Sequence, residues 1–368
     1  MAPQAAAPRP MSNRGPVNTP ARFDQTRLPA IDYARHPAYQ ARGGRVRALG
    51  MFGRGAGIAF TRWLIDLEHL PKPPSGADKR GWLVRNAPRL ALGAVRHNLA
   101  RPGRSVRVAE TGIGREVAGA LRRDGVYAFR LTAGEKAELE ALTRPWFEEL
   151  RRRLARGFGH FDDNRIWLDP SASPEIYAWF RTLLDRAGVL EASCARLGRP
   201  VAVAHLIPQL NTPETDFWSG PFADIGEPDP ACNYCHVDTA WGITKMIVYV
   251  GDVGETAGPF SYVRGSHRAR DGFWGRLIRK ANDHSGLSST RPAARRLFAA
   301  LPAWLQRKAA FGPDLRDDHP AVPALLAAET RFTTDAADAI LFDPDGVHRG
   351  GMVQSGERRV VGVLLAEA

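Results

Sequence analysis

The chain is 368 residues long, 44% hydrophobic and 24% charged, with three cysteines and a formal net charge of +12. Three cysteines exclude a disulfide-held scaffold and suit a reducing compartment, and no stretch nears the roughly 20 apolar residues that cross a bilayer. The expectation is a cytoplasmic protein whose core is large enough for a β fold of about 250 residues with appended segments.

Residues 1–30 are poor in large apolar side chains and rich in Pro, Ala and Asn. They read as a disordered arm with no apolar run of the signal-peptide type. Residues 31–110 read as a basic helical extension. From residue 1 to 110 there are 19 Lys plus Arg against 6 Asp plus Glu, while the rest of the chain holds 32 against 33, so the whole excess of charge lies toward the N-terminus. Phe52, Ile58, Ala59, Phe60, Trp63, Leu64, Ile65 and Leu67 suggest an amphipathic helix over residues 51–70. Pro88, a residue favoured in a first turn, opens a shorter run in which Leu90, Leu92, Val95 and Leu99 interleave with Arg89 and Arg96. Two readings stand. The helices pack on the rest of the protein and expose their arginines, in a chain whose 45 Arg against 6 Lys reflect a compositional bias; or they meet an anionic membrane surface peripherally, or an acyl-phosphate substrate. No helix-turn-helix, zinc-finger or RNA-recognition pattern supports a nucleic-acid partner, and the oligomeric state has no signature.

A folded domain is expected over residues 111–368. A short helix at 115–123 and a strand at 125–131 precede Thr132-Ala133-Gly134-Glu135, which has the form of a capping box and opens a helix running to about residue 156. A second helix over 174–197 carries Ile176, Trp179, Phe180, Leu183, Leu184 and Leu190 near helical spacing, which marks a core face. Residues 201–210 read as a strand bearing Gln209 and leading to Asn211. The proline-rich loop 212–230, with Trp218 and Phe222, suits the wall of a small-molecule site.

His236-Val237-Asp238 is the centre of the next stretch. Successive side chains of a strand point to opposite faces, so His236 and Asp238 share one and can reach a single metal ion. Residues 243–250 are rich in β-branched and aromatic types and read as a strand, with Lys245, Ile247 and Tyr249 on one face. A turn-rich link at 251–258 leads to a short strand at 259–263 and a stop at Gly265. Residues 264–316 carry 12 Lys plus Arg against 3 Asp around Phe273, Trp274, Leu277, Ile278, Leu297, Phe298, Leu301, Trp304 and Leu305. They read as a lid over an anionic substrate, or as a solvated helix pair. Residues 338–343 form a further strand, His348 follows a Pro-Asp-Gly loop, and residues 358–365 form the last strand.

The order of these motifs, His236-Val237-Asp238, then Gly258-Pro259-Phe260-Ser261-Tyr262-Val263-Arg264-Gly265-Ser266-His267, then His348-Arg349-Gly350-Gly351 with a basic pair about ten residues on, resembles the phytanoyl-CoA dioxygenase family, which includes ectoine hydroxylase. The resemblance covers roughly residues 111–368, with 264–316 inserted. It implies a double-stranded β-helix, or jelly-roll, core that is mainly β with flanking helices, in the α+β class. It implies an Fe(II) held by His236, Asp238 and His348, with 2-oxoglutarate as cosubstrate, O2 as co-reactant, and hydroxylation of an unactivated C–H bond. Two imidazoles and a carboxylate on one face of the ion leave positions open for cosubstrate and O2. An arginine fork suits the far carboxylate of the cosubstrate. The family's spacing puts that cation eleven residues beyond His348, at Arg359, with Arg358 on the other face. By the same likeness Asn211, with Gln209 beside it, hydrogen-bonds the cosubstrate. Lys245 stands where the family has a small hydroxyl residue and adds a second cation there, and Tyr249 reaches inward; ordinary barrel packing is the alternative for each. Asp238 favours hydroxylation over halogenation, for which the relatives carry a small residue in its place.

Cys232-Asn233-Tyr234-Cys235-His236 also has the form of a c-type haem attachment site. That reading consumes His236 and leaves Asp238, His348 and Arg359 without a joint role. Structural zinc needs four ligands, and the one other cysteine is Cys194. His267, His284 and His319 fall outside the ligand spacing. Two further classes stay open: a binding protein of the same fold with a degenerate iron site, and a cupin-like metal enzyme that does not use 2-oxoglutarate.

Overall fold

The computed structural model describes residues 44–68, 112–157, 163–213, 237–238, 241–268, 272–287, 292–309 and 328–368 except 352, together with single helical positions at 85, 88 and 92. The expected arm, most of the run from Pro88, most of the loop 212–230 and the Cys232 to His236 motif lie outside these residues.

Among the described residues eight strands make two antiparallel sheets. The larger contains β1 (Val126–Phe129), β2 (Val201–Asn211), β3 (Thr244–Tyr249), β6 (Ala339–Phe342) and β8 (Arg358–Glu367), in the order β1-β6-β3-β8-β2. The smaller contains β4 (Phe260–Val263), β5 (Glu329–Phe332) and β7 (His348–Arg349), in the order β5-β4-β7. The chain passes from the large sheet to the small one between β3 and β4, returns at β6, and crosses again at β7 and β8. Two opposed antiparallel sheets joined by such crossings form a jelly roll, here with flanking helices, so the fold is mixed α+β.

Strand periodicity sorts the side chains into two cores. Met246, Val248, Leu341, Val361, Val363 and Leu365 face outward into a cluster with the helices. Tyr249, Ile340, Phe342 and Val360 face inward and meet Phe260, Tyr262 and Phe332 of the small sheet. Because both faces of β8 are buried, its sequence is a continuous apolar run rather than an alternation.

The outer helices are α2 (Gly112–Asp124), α3 (Ala133–Ala155), α4 (Pro174–Arg186) and α5 (Val189–Leu197). Thr132 caps α3 as its sequence predicts: its Oγ1 accepts from the Glu135 amide at 3.2 Å, and Glu135 accepts from the Thr132 amide at 2.8 Å. The single helix expected over 174–197 is two. Gly188 adopts φ +68°, and a Cβ there would lie 2.8 Å from the Gly114 backbone nitrogen, so the chain breaks to let α2 approach. β5 was not anticipated, because Glu329-Thr330-Arg331-Phe332 shows no apolar run. Glu329 is nevertheless 1% exposed, fork-paired to the equally buried Arg349 at 2.5 and 2.6 Å.

A second helical group covers one end of the barrel: α1 (Arg45–Glu68) from the N-terminal extension, and α6 (Gly272–Ser285), α7 (Pro292–Ala299) and α8 (Ala303–Ala309) from the insertion. Ala48, Phe52, Gly55 and Ala59 form one buried stripe of α1 at helical spacing. Ala48 and Phe52 pack with Ala281, Leu297, Phe298 and Leu301. At Gly55 a Cβ would sit 2.2 Å from the Ala281 carbonyl oxygen, so only glycine permits this crossing. Among the described residues no helix is long and apolar enough to cross a membrane.

Candidate metal centre

β7 is held against β4 with His348 opposite Tyr262, which turns the imidazole toward the space between the sheets. The Tyr262 ring stacks on it at 6.4 Å and 14°, and the Phe342 ring lies 4.9 Å away, so the ring has little rotational freedom. Nδ1 of His348 lies 2.8 Å from the Gly346 carbonyl oxygen. A carbonyl only accepts, so Nδ1 carries the proton and donates it, and the lone pair of Nε2 points the other way. What it faces is Oδ2 of Asp238, at 3.6 Å.

Asp238 is fixed by its backbone as much as by its carboxylate. Its amide donates to the Pro344 carbonyl at 3.0 Å, and its own carbonyl accepts from Lys280 Nζ at 2.6 Å. Lys245 Nζ lies 2.6 Å from Oδ2. An imidazole lone pair and a carboxylate oxygen facing each other at this range repel unless positive charge lies on or between them. Lys245 supplies it from one side, and the nitrogen and oxygen donors fit a divalent transition metal. Asp238 and His348 are therefore brought together from 110 positions apart. The third expected ligand, His236, lies outside the described residues, and among those residues no group of three metal-binding side chains occurs.

The inward face of the large sheet supplies the remaining candidates. Lys245 and Tyr249 share it, as strand parity predicts, but the Tyr249 hydroxyl is committed elsewhere. It donates to the Phe332 carbonyl at 2.7 Å and accepts from the Phe260 amide at 2.9 Å, so it ties the two sheets together. Burial pushes its phenol well above the ordinary tyrosine range, and it stays protonated. Gln209 and Asn211 face inward opposite Val360 and Arg358, and Gln209 Nε2 donates to Asn211 Oδ1 at 3.0 Å.

The arginine assignment needs correction. Arg359, selected by spacing from His348, lies on the outward face, ion-paired to Glu140 and Glu357 at 3.3 Å each and 5.8 Å from the Phe147 ring of α3. Arg358 is on the inward face opposite Asn211 and is 6% exposed. Its guanidinium donates to the Gly351 carbonyl at 2.8 Å and meets no carboxylate among the described residues. A one-residue change of register exchanges the faces of a strand, and the length of the loop between β7 and β8 does not fix that register.

Residues that sequence reasoning passed over hold the segments next to Asp238 and His348. Arg196 forks onto Asp343, with its Nε at 2.9 Å, and donates to the Ile243 carbonyl at 2.7 Å, which joins the start of β3 to the end of β6. Asp345 pairs with Lys280 at 2.7 Å and with Arg276 at 3.4 Å. Burial alone would raise the Asp345 carboxyl, but Lys280, Arg196 and Arg276 outweigh it and hold the group below the ordinary carboxylate range. The available signal was compositional: of six lysines in a chain with 45 arginines, two meet Asp238. His267, set aside as a non-ligand, lies with Nε2 3.2 Å from the Arg122 carbonyl.

The chain matches no protein-family model and no curated protein. Among solved structures it is similar to EctD from S. alaskensis with 2-oxoglutarate and 5-hydroxyectoine, at 15% identity, TM-score 0.39, and 72% and 78% coverage of this chain and that one. It is also similar to the non-heme alpha ketoglutarate dependent epimerase SnoN from nogalamycin biosynthesis, at 16% identity, TM-score 0.36, and 69% and 83% coverage. HygX from Streptomyces hygroscopicus with nickel and 2-oxoglutarate bound follows at 15%, 0.37, 69% and 87%. At such TM-scores the chain's own residues, not the likeness, carry the functional reading.

Proposed function

We propose that this protein is an Fe(II)- and 2-oxoglutarate-dependent oxygenase that hydroxylates an unactivated C–H bond of a small anionic or lipid-like substrate, as the motif order of the phytanoyl-CoA dioxygenase family implies. The observation that carries the reading is the approach of His348 Nε2 to Asp238 Oδ2, with the imidazole's other nitrogen committed to a carbonyl. His236, Asp238 and His348 would hold the metal, which when loaded with cosubstrate supplies the oxidising power for C–H cleavage as 2-oxoglutarate loses CO2 to give succinate.

The chain's own side chains bind, orient and exclude water. Arg358 offers a buried guanidinium with no carboxylate among the described residues, which suits the far carboxylate of 2-oxoglutarate. Asn211 and Gln209 line the same face and suit the cosubstrate's remaining oxygens. Phe260, Tyr262 and Phe342 close the floor beneath His348 and keep water from that side. The surplus of cations in 264–316 supports an anionic substrate. The buried apolar stripe of α1 is covered by the insertion, so a peripheral contact with an anionic membrane would rest on the exposed face of α1, where Val46, Leu49 and Phe60 stand beside exposed arginines.

The second reading, a metal-free binding protein of the same fold, is favoured by one observation, the Lys245 ammonium on Asp238. Anaerobic addition of Fe(II) and 2-oxoglutarate separates the two. An oxygenase gives a weak visible charge-transfer band, then succinate on admission of air, both lost in His236→Ala and Asp238→Ala. Succinate release unchanged by those substitutions overturns the proposal. A strong Soret band as isolated would instead revive the haem reading.

A further inference from the structure

Lys280 belongs to the insertion, not to the barrel, yet its ammonium lies at the junction of both ligand-bearing segments. It projects from α6, its side chain is 2% exposed, and it donates to the Asp238 carbonyl at 2.6 Å and to Asp345 Oδ1 at 2.7 Å. It also stands 4.6 Å over the Trp241 ring, whose Nε1 donates to the Ala59 carbonyl of α1 at 3.1 Å. One acceptor is the backbone of the residue that supplies the carboxylate ligand. Another is three positions before His348. An ammonium has three donors on a compact head and can serve acceptors that diverge from one point, which the planar guanidinium fork cannot do as well.

We propose that Lys280 is a positioning residue of the metal centre, setting the separation of Asp238 and His348 by tying the loop that carries one to the loop that carries the other. The inference rests on the reading of this site as a metal centre. The helical insertion is then a clamp on the ligand loops, and α1 reinforces it through Trp241. Its ammonium is engaged with the Asp238 carbonyl and the Asp345 carboxylate, so it acts through the geometry of Asp238 and His348.

The test separates this role from simple stabilisation. Lys280→Met leaves Asp345 as a poorly compensated buried charge, which lowers stability whatever else it does. In the double variant Lys280→Met/Asp345→Asn both charges are gone and stability largely returns, but the tie to the Asp238 carbonyl is still missing. Co(II) is titrated into the full chain, wild type and both variants, and followed by calorimetry and by the visible d–d absorption, with urea unfolding alongside. The expected result is metal affinity about 10- to 100-fold weaker in both variants, as for other residues that orient ligands, with a changed d–d band in the double variant despite its recovered stability. If the double variant binds Co(II) with the wild-type affinity and band, the proposal is overturned while the metal centre stands. If the wild type binds no Co(II), the metal reading fails and the proposal with it. Should Lys280→Met alone not fold, the double variant decides.

Discussion

Arg358 and Arg359 are adjacent, both basic and equally placed for any argument from composition, so exchanging each for methionine isolates what the faces of β8 mean. A bidentate guanidinium–carboxylate contact contains two charge-assisted hydrogen bonds worth about 1.5–3 kcal/mol each. Arg358 already spends one donor on the Gly351 carbonyl, and methionine keeps part of the packing. A net loss of about 3 kcal/mol is therefore reasonable, which is roughly 100-fold in the Kd for 2-oxoglutarate at 1.4 kcal/mol per tenfold. Arg359 contributes two partly exposed ion pairs, to Glu140 and Glu357, each worth about 0–1 kcal/mol. Arg359→Met should lower the unfolding midpoint slightly and leave the 2-oxoglutarate Kd within about 2-fold, since its effect falls in that same surface-pair range. Calorimetric titration of 2-oxoglutarate into anaerobic, Mn(II)-loaded protein measures both. Loss of binding in Arg359→Met with retention in Arg358→Met refutes the assignment by register and restores the assignment by spacing.

Four other outcomes follow from the same geometry. Lys245→Met removes the cation that competes for Asp238, and a partly buried pair worth about 1 kcal/mol converts to Co(II) binding about 5-fold tighter; weaker binding would contradict a competing role. Glu329→Gln leaves Arg349 buried without its carboxylate and should cost about 3–5 kcal/mol in urea unfolding, and a change under 1 kcal/mol would mean that water relieves the site, since the cost of a broken buried pair arises from desolvation. Gly55→Val drives a side chain into the Ala281 carbonyl and should release α1, read as faster amide exchange in 45–63 and in α6 with the barrel unchanged. Asp345 provides a pH test. Its folded pKa lies below the ordinary value of about 3.9, so the unfolded chain binds more protons between the two values. The stabilisation is complete above the unfolded pKa and disappears as pH falls through the folded one, so Asp345→Asn should flatten the acid limb of stability against pH.

The fold was legible where polar residues mark one face or one end of an element. Thr132 and Glu135 announced α3, and Lys245, Ile247 and Tyr249 were correctly grouped because a lysine and a tyrosine mark the parity of β3. The break at Gly188 was not legible. A glycine inside a helical pattern is tolerated, and what excludes a side chain there, beside the positive φ, is the backbone of Gly114, more than seventy positions earlier. β5 escaped for a related reason, since Glu329 and Arg331 read as surface residues until Arg349 is seen to neutralise the first.

The limits of sequence at the site itself have one cause. Spacing along a chain transfers to space only inside a regular element, and each misread residue lies across a loop from the residue it was measured against. Asp238 and His348 are brought near each other across that step, and each is held by a short contact to a carbonyl: His348 Nδ1 to Gly346, the Asp238 amide to Pro344. Arg359 did not survive, because residues 350–357 intervene and β8 is buried on both faces, so nothing in Val360, Val361 or Val363 tells one side from the other. Asn211 does, since its backbone register with Arg358 puts a buried amide and a buried cation on the same side. Polar residues inside an otherwise apolar barrel carry the functional information, because burying them costs free energy that only a ligand or a partner returns.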